Sequence, residues 1–178
     1  HIQKVIDSKK PIVFFDRRPT LEHIDTVLLN NFLGAYIATE HLIHMDCKNL
    51  LHIAGSSEVS IFEERKNGFL RATQKHKTSS VVHHLQDSKA ESHSDLQNLK
   101  NILEKHPNID GIFAYGDEMA IHLLNWLSTL KIDVPGKIKL IGFGNANFSG
   151  LTQPSLSSID QESSLMGELS ANLLLKNL

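Results

Sequence analysis

Short apolar runs and longer segments with helical spacing alternate along the 178-residue chain. Runs rich in branched and aromatic residues occupy 11–15, 26–29, 49–54, 80–85, 111–114 and 137–143, and each has the length of a strand. Between them the apolar positions fall three or four apart. Residues 34–45 carry Ala35, Ala38, Leu42 and Met45; 61–76 carry Phe62, Phe69 and Leu70. Residues 94–106 carry Leu96, Leu99 and Leu103; 118–130 carry Met119, Leu123, Trp126 and Leu130; and a last helical segment runs over about 163–178. This alternation predicts an α/β fold with a mainly parallel sheet, because each parallel pair needs a crossover to carry the chain back. Pro107 and Pro135 each come after a helical segment and before a strand, where a residue that cannot continue a helix costs little. Asp117 directly precedes a helical run and is placed to cap its free amides.

No internal repeat, low-complexity tract or long linker breaks the pattern, so any lobe boundary must fall at a short crossing. Asn30-Asn31 and the polar, turn-rich stretch 145–153 are the candidates. Eighteen basic and twenty acidic residues leave a net charge of −2, which excludes a surface built throughout to coat nucleic acid. With 40% hydrophobic and 21% charged residues, disorder and disulfide-dense scaffolds are poor fits. Cys47 is the single cysteine; no intrachain disulfide is possible, and a reducing, cytoplasmic setting is expected. No stretch approaches the ~20 apolar residues of a membrane helix. The chain opens on His1-Ile2-Gln3-Lys4 with no apolar signal core behind it, as expected of an internal piece of a longer protein.

In open parallel sheets ligands bind beyond the carboxyl ends of the strands. Most of the apolar runs hand over to small or polar residues: Asp16-Arg17, Gly55-Ser56-Ser57, Gln86-Asp87-Ser88, Tyr115-Gly116-Asp117 and Gly144-Asn145. Enzyme motifs are missing. Gly142-Phe143-Gly144 begins like a dinucleotide fingerprint, but Asn147 stands at the third glycine position and Pro154 falls where a helix should run. Gly55-Ser56-Ser57-Glu58-Val59 lacks the second glycine of a nucleophile elbow. Cys47, between Asp46 and Lys48, reads as a structural or surface thiol. Among the 11 histidines, His41 and His44 share a helix face, yet no third ligand is evident, and the adjacent His83 and His84 must point to opposite faces of a strand. No metal or cofactor is expected. Arg65 sits near the start of a helix, where the dipole disfavours a cation, so either an ion pair with Glu63 or Glu64 or a ligand must compensate.

The succession Pro11-Ile12-Val13-Phe14-Phe15-Asp16-Arg17, then Gly34-Ala35-Tyr36 and Ala38-Thr39-Glu40-His41-Leu42-Ile43, resembles the LacI/GalR family of bacterial transcription regulators. So do Arg65 with Gly68-Phe69, Gly116-Asp117-Glu118-Met119-Ala120, Val134-Pro135 and Ile141-Gly142-Phe143. Pro154-Ser155-Leu156-Ser157-Ser158-Ile159-Asp160-Gln161 and Met166-Gly167 complete the order, which spans nearly the whole chain. The resemblance implies an effector-binding and dimerisation domain of the periplasmic-binding-protein type I fold, with two α/β lobes of parallel sheets and the amino-terminal lobe incomplete. On that pattern 1–29 is part of the amino-terminal lobe, 30–147 the carboxyl-terminal lobe, and 148–178 the crossover and return.

The resemblance further implies a small polar effector, a sugar or sugar phosphate, contacted by Asp16, Arg65, Gly116 and Asp117. Gly144 stands where sugar- and purine-responsive members usually carry a ligand-binding Asp, so Asn145 or backbone groups would substitute. The loop near Ser88 also lacks the aromatic on which many members stack the ligand. Met119, His122, Leu123 and Trp126 lie on the helix matching a family dimer helix, although Trp126 is equally a core residue by its spacing. The implied protein is no enzyme; it is a homodimer that binds DNA only through an upstream helix-turn-helix outside these residues. An exported sugar-binding protein of a transport system, with the same fold, is the alternative.

Overall fold

The computed structural model describes residues 2–7, 10–19, 21, 24–84 and 93–178. In chain order the elements are α1 (Ile2–Asp7), β1 (Val13–Phe15), β2 (Asp25–Val27), α2 (Asn31–His44), β3 (Asn49–Ala54), α3 (Ser60–His76) and β4 (Ser79–His84). Next come α4 (His93–Lys105), β5 (Gly111–Ala114), α5 (Asp117–Thr129), β6 (Lys139–Gly144), a short 3-10 turn (Ser149–Leu151), β7 (Ser157–Asp160) and α6 (Ser163–Lys176). The chain forms two compact units, one of His1–Asn30 with Gln161–Leu178 and one of Asn31–Asp160.

In the smaller unit β1 and β2 pair in parallel, from Val13 opposite Asp25 to Phe15 opposite Val27, and α6 packs on both. The Asn177 amide donates to the Asp25 carboxylate at 2.6 Å, tying the end of α6 to β2.

In the larger unit five strands run parallel in the order β4-β3-β5-β6-β7. The two strands at its heart are apolar almost throughout because helices cover both faces: every residue of β5 is buried, as are Leu50, Leu51, Ile53 and Ala54 of β3. One face packs Leu51, Ile53, Ile112 and Ile138 against Leu99 of α4 and Leu123 and Leu127 of α5. Toward α2 and α3, Phe69, Phe113 and Phe143 stack in sequence with His52 among them. Helices α2 and α3 approach closely at Gly68, where a Cβ would strike the Phe32 carbonyl. Beside that crossing, Glu40 accepts from His76 at 2.7 Å, Tyr36 at 2.8 Å and Lys75 at 3.0 Å. Those bonds, His76's foremost, hold its carboxyl down to about 2.

The runs at 49–54 and 111–114 become strands over those same residues, and the expected parallel α/β architecture is present. Other strands shift by one or two residues, and α2 begins at Asn31 rather than at 34. The loop 86–88 lies outside the described residues. The stretch 145–153 does not divide the units: it folds into the larger one with Ser149 buried. Residues 148–160, which the resemblance assigned to the crossover, give that unit its 3-10 turn and its edge strand β7.

Candidate functional site

Because all five strands of the larger unit are parallel, their carboxyl ends meet on one edge. That edge gathers Gly55 after β3, Tyr115-Gly116-Asp117 after β5, Gly144-Asn145 at the end of β6 and Asp160 at the end of β7. The register places Gly144 directly opposite Asp160.

Arg65 reaches this edge from α3, and it is buried, with 4% of its surface exposed. The expected ion pair with Glu63 or Glu64 is replaced: Glu63 pairs with Lys66 at 2.6 Å instead. Arg65 Nε donates to Asn31 Oδ1 at 2.9 Å, and Nη1 donates to the Tyr115 carbonyl at 2.5 Å. Its guanidinium lies 3.7 Å from the centroid of the Phe143 ring. A buried cation is tolerated only when its donors are satisfied, and a ring face adds electrostatic attraction. The residue therefore clamps α2, β6 and the loop after β5 together just below the strand ends.

Asp117 does not cap α5 from outside. Gly116 is the capping residue, in extended conformation, and Asp117 is the first helical residue. Its buried carboxylate faces the sheet instead: Oδ2 accepts from the Ala146 amide at 2.8 Å and Oδ1 from the Ser158 hydroxyl at 2.7 Å. Ser158 Oγ in turn accepts from the Asn145 amide at 2.9 Å, and Asn145 Nδ2 donates to Asp160 Oδ2 at 2.9 Å. A continuous hydrogen-bonded chain thus links α5, the turn after β6 and the end of β7. Gly144 (φ 138°) and Asn145 (φ 49°) are both left-handed, a backbone that suits glycine and that asparagine tolerates.

In the smaller unit Asp16 lies just past β1 with φ 65°; its amide donates to the Val27 carbonyl at 3.0 Å, and its carboxylate lies 3.8 Å from Arg17 Nε. Of the residues expected at a dimer surface, Met119 and Leu123 are instead buried in the unit's own core, because α5 turns that stripe to the sheet. His122 and Trp126 are both half-buried, their rings stacked with centroids 5.8 Å apart, and Trp126 packs against the edge of that core.

Among the described residues no group of three or more His, Cys, Asp or Glu side chains is placed to hold a metal ion. His44 sets its ring edge against His76 at 6.0 Å, and His84 Nδ1 lies 3.0 Å from the Gly55 carbonyl. Cys47 is buried with its thiol 3.3 Å from the Asp110 carbonyl, and burial pushes that thiol up from its usual range. Sequence reasoning passed over Asn31, Tyr115, Ser158 and Asp160 as site residues. The roles of Ser158 and Asp160 arise from strand register and those of Asn31 and Tyr115 from the reach of Arg65, although Gly144 opposite Asp160 becomes predictable once Ser157–Asp160 is recognised as a strand.

The periplasmic binding protein-like domain model matches residues 39–178. The chain belongs to that family. Within it, the HTH-type transcriptional repressor PurR of Actinobacillus pleuropneumoniae serotype 3 (strain JL03) is 30% identical over 168 residues, covering 94% of this chain and 50% of its own length. The ribose operon repressor of Halalkalibacterium halodurans is 31% identical over 170 residues, with the same coverage of 94% and 50%. A periplasmic binding protein/LacI transcriptional regulator from Alkaliphilus metalliredigens QYMF, solved with D-xylulofuranose, superposes with a TM-score of 0.81 at 27% identity, covering 93% of this chain and 61% of that one. The periplasmic binding protein-like fold and the resemblance to LacI/GalR effector domains are thereby borne out. The chain spans about half the length of the curated relatives it matches. No helix among the described residues is long and apolar enough to cross a membrane.

Proposed function

We propose that this chain is the effector-sensing part of a LacI-type transcription regulator, and that the carboxyl edge of its five-stranded sheet contacts a small polar effector, a sugar or sugar phosphate. The observation that carries this reading is the clustering of Gly144, Asn145 and Asp160 at one strand edge, braced from below by Arg65 on Phe143. Ligands of open parallel sheets bind at that edge. Gly116 and Asp117 serve it by fixing the turn after β6. An effector changes the output by binding one conformation of the regulator better than another, by as much as its differential affinity.

DNA is bound by a helix-turn-helix domain outside these residues, and a homodimer forms through α5, where the half-buried His122 and Trp126 stack. The repressor relatives favour this cytoplasmic role over sugar import. The test is thermal-shift screening of the full-length protein against pentoses, hexoses and their phosphates, followed by operator-fragment binding with each hit. A compound that raises the melting temperature and changes DNA affinity is expected. Hits that leave DNA affinity unchanged, in a protein preceded by an export signal, would replace this reading with the transport one.

A further inference from the structure

The end of the five-stranded sheet away from Gly144 and Asp160 is notched. β7 enters the register only at Ser157, opposite Ile141, so Lys139 and Leu140, the first two residues of β6, have no strand partner on that side. The notch opens into a cavity of about 470 Å³, bounded by the end of α2, by α5 and by the segments 134–136 and 154–157. Every residue lining it belongs to the larger unit. We propose that this cavity is a second binding site, separate from the carboxyl edge, for a small molecule with an apolar body and a single carboxylate.

The wall suits an apolar body. Leu42 and Met45 beside the end of α2, Leu124 of α5, Leu140 and Leu156 supply most of its surface. Small-molecule sites are commonly about 300–1,000 Å³, mainly apolar with a few polar groups, and this cavity falls within that description. Met45 is 48% exposed, and its unbranched thioether can adapt to an irregular guest.

The polar groups set the head. The lining includes Lys139, His41 and the hydroxyls of Ser155 and Ser157, and no carboxylate among its described residues. Lys139 is half-buried, and among the described residues its ammonium has neither an ion pair nor a hydrogen-bond partner. The acids nearby are turned elsewhere: Asp110 accepts from the Lys48 and Asn49 amides, and Asp133 folds back against Gly136. Hydrogen bonds from an ammonium to a carboxylate are among the stronger ones. One cation balances one charge, whereas a phosphate monoester, carrying about −1.5 to −2 near neutral pH, would be under-compensated in a partly buried site.

Leu124 comes two residues after His122 and two before Trp126, which puts it on the opposite side of α5. The ring pair proposed for the homodimer and this cavity therefore use different faces of the helix.

Isothermal titration of the full-length protein with octanoate, 1-octanol and octyl phosphate tests the site. Octanoate is expected to bind the wild type more tightly than either of the others. Lys139→Met should weaken octanoate roughly 10- to 100-fold, the range for a hydrogen bond to a charged group, and leave octanol unchanged. Met45→Trp fills the cavity from an exposed position; it should weaken both compounds while keeping the wild-type melting temperature. No octanoate binding by the wild type, equal octanoate affinity in Lys139→Met, or octanoate binding untouched by Met45→Trp overturns the site. Tighter binding of octyl phosphate than of octanoate overturns the carboxylate as its head group.

Discussion

Gly142 lies against the Asp117 carboxylate so closely that a Cβ there would collide with Oδ1. The absence of a side chain on β6 is what allows the buried carboxylate to reach both Ala146 and Ser158. Gly142→Ala should therefore displace Asp117 and cost about 1–3 kcal/mol, the usual range for overpacking. Asp117→Ala should cost about 2–4 kcal/mol, since it strands two donors that a charged acceptor had satisfied. Urea unfolding measures both, and the double variant should lose clearly less than the sum, because the two changes remove one interaction.

Arg65 serves stability before it serves any ligand. Arg65→Ala leaves Asn31 Oδ1 and the Tyr115 carbonyl without their donor and empties the space over Phe143. The expected loss is about 2–4 kcal/mol of unfolding free energy. Arg65→Lys should recover little, because an ammonium cannot donate in both directions and still lie flat on a ring. Full stability in the lysine variant would contradict the clamp.

The buried His52 gives the larger unit an acid-sensitive core. Its Nδ1 donates to the Phe113 carbonyl at 3.0 Å, its ring stacks 4.7 Å from Phe113, and Nε2 has no hydrogen-bond partner among the described residues. Burial holds it down to about 4 from 6.5, so the unfolded chain takes up the proton first. The contribution is fully present above about pH 6.5 and is lost as pH falls toward 4, a span worth about 3 kcal/mol. His52→Leu should flatten the pH dependence of unfolding between pH 7 and 4.5 relative to the wild type. Parallel pH profiles for the two proteins would rule the histidine out.

Cys47 should resist chemistry while the protein is folded. Burial and the neighbouring Asp110 both disfavour its thiolate, the form that reacts. Alkylation by iodoacetamide at neutral pH is expected to be slow in buffer and fast in denaturant. Rapid native-state labelling, read by mass spectrometry, would contradict its burial.

The sequence pattern carried the interior of the fold well and its rim poorly, for physical reasons. Strands β3 and β5 are buried on both faces, so their apolar runs mark them from end to end. β7 has no such run: Ser157–Asp160 forms the sheet edge, and Ser158 is polar because its hydroxyl bridges Asp117 and Asn145. Asp117 has the composition of a cap, yet a residue more than 20 positions away determines where its carboxylate points. The partners of Arg65 lie 34 and 50 residues distant in sequence, beyond the reach of any local spacing rule. Among the four helix residues carried over as a dimer surface, periodicity alone cannot say which stripe meets the sheet; burial separates Met119 and Leu123 from His122 and Trp126.

Two successive left-handed residues, Gly144 and Asn145, close β6. A side chain introduced at 144 would strain the backbone, so this position is a poor place to invent a new contact. Asp160, opposite on the adjacent strand, lies outside the left-handed region, so backbone strain does not restrict which side chain stands there. The sheet edge keeps one strand as a fixed floor and leaves its neighbour to vary.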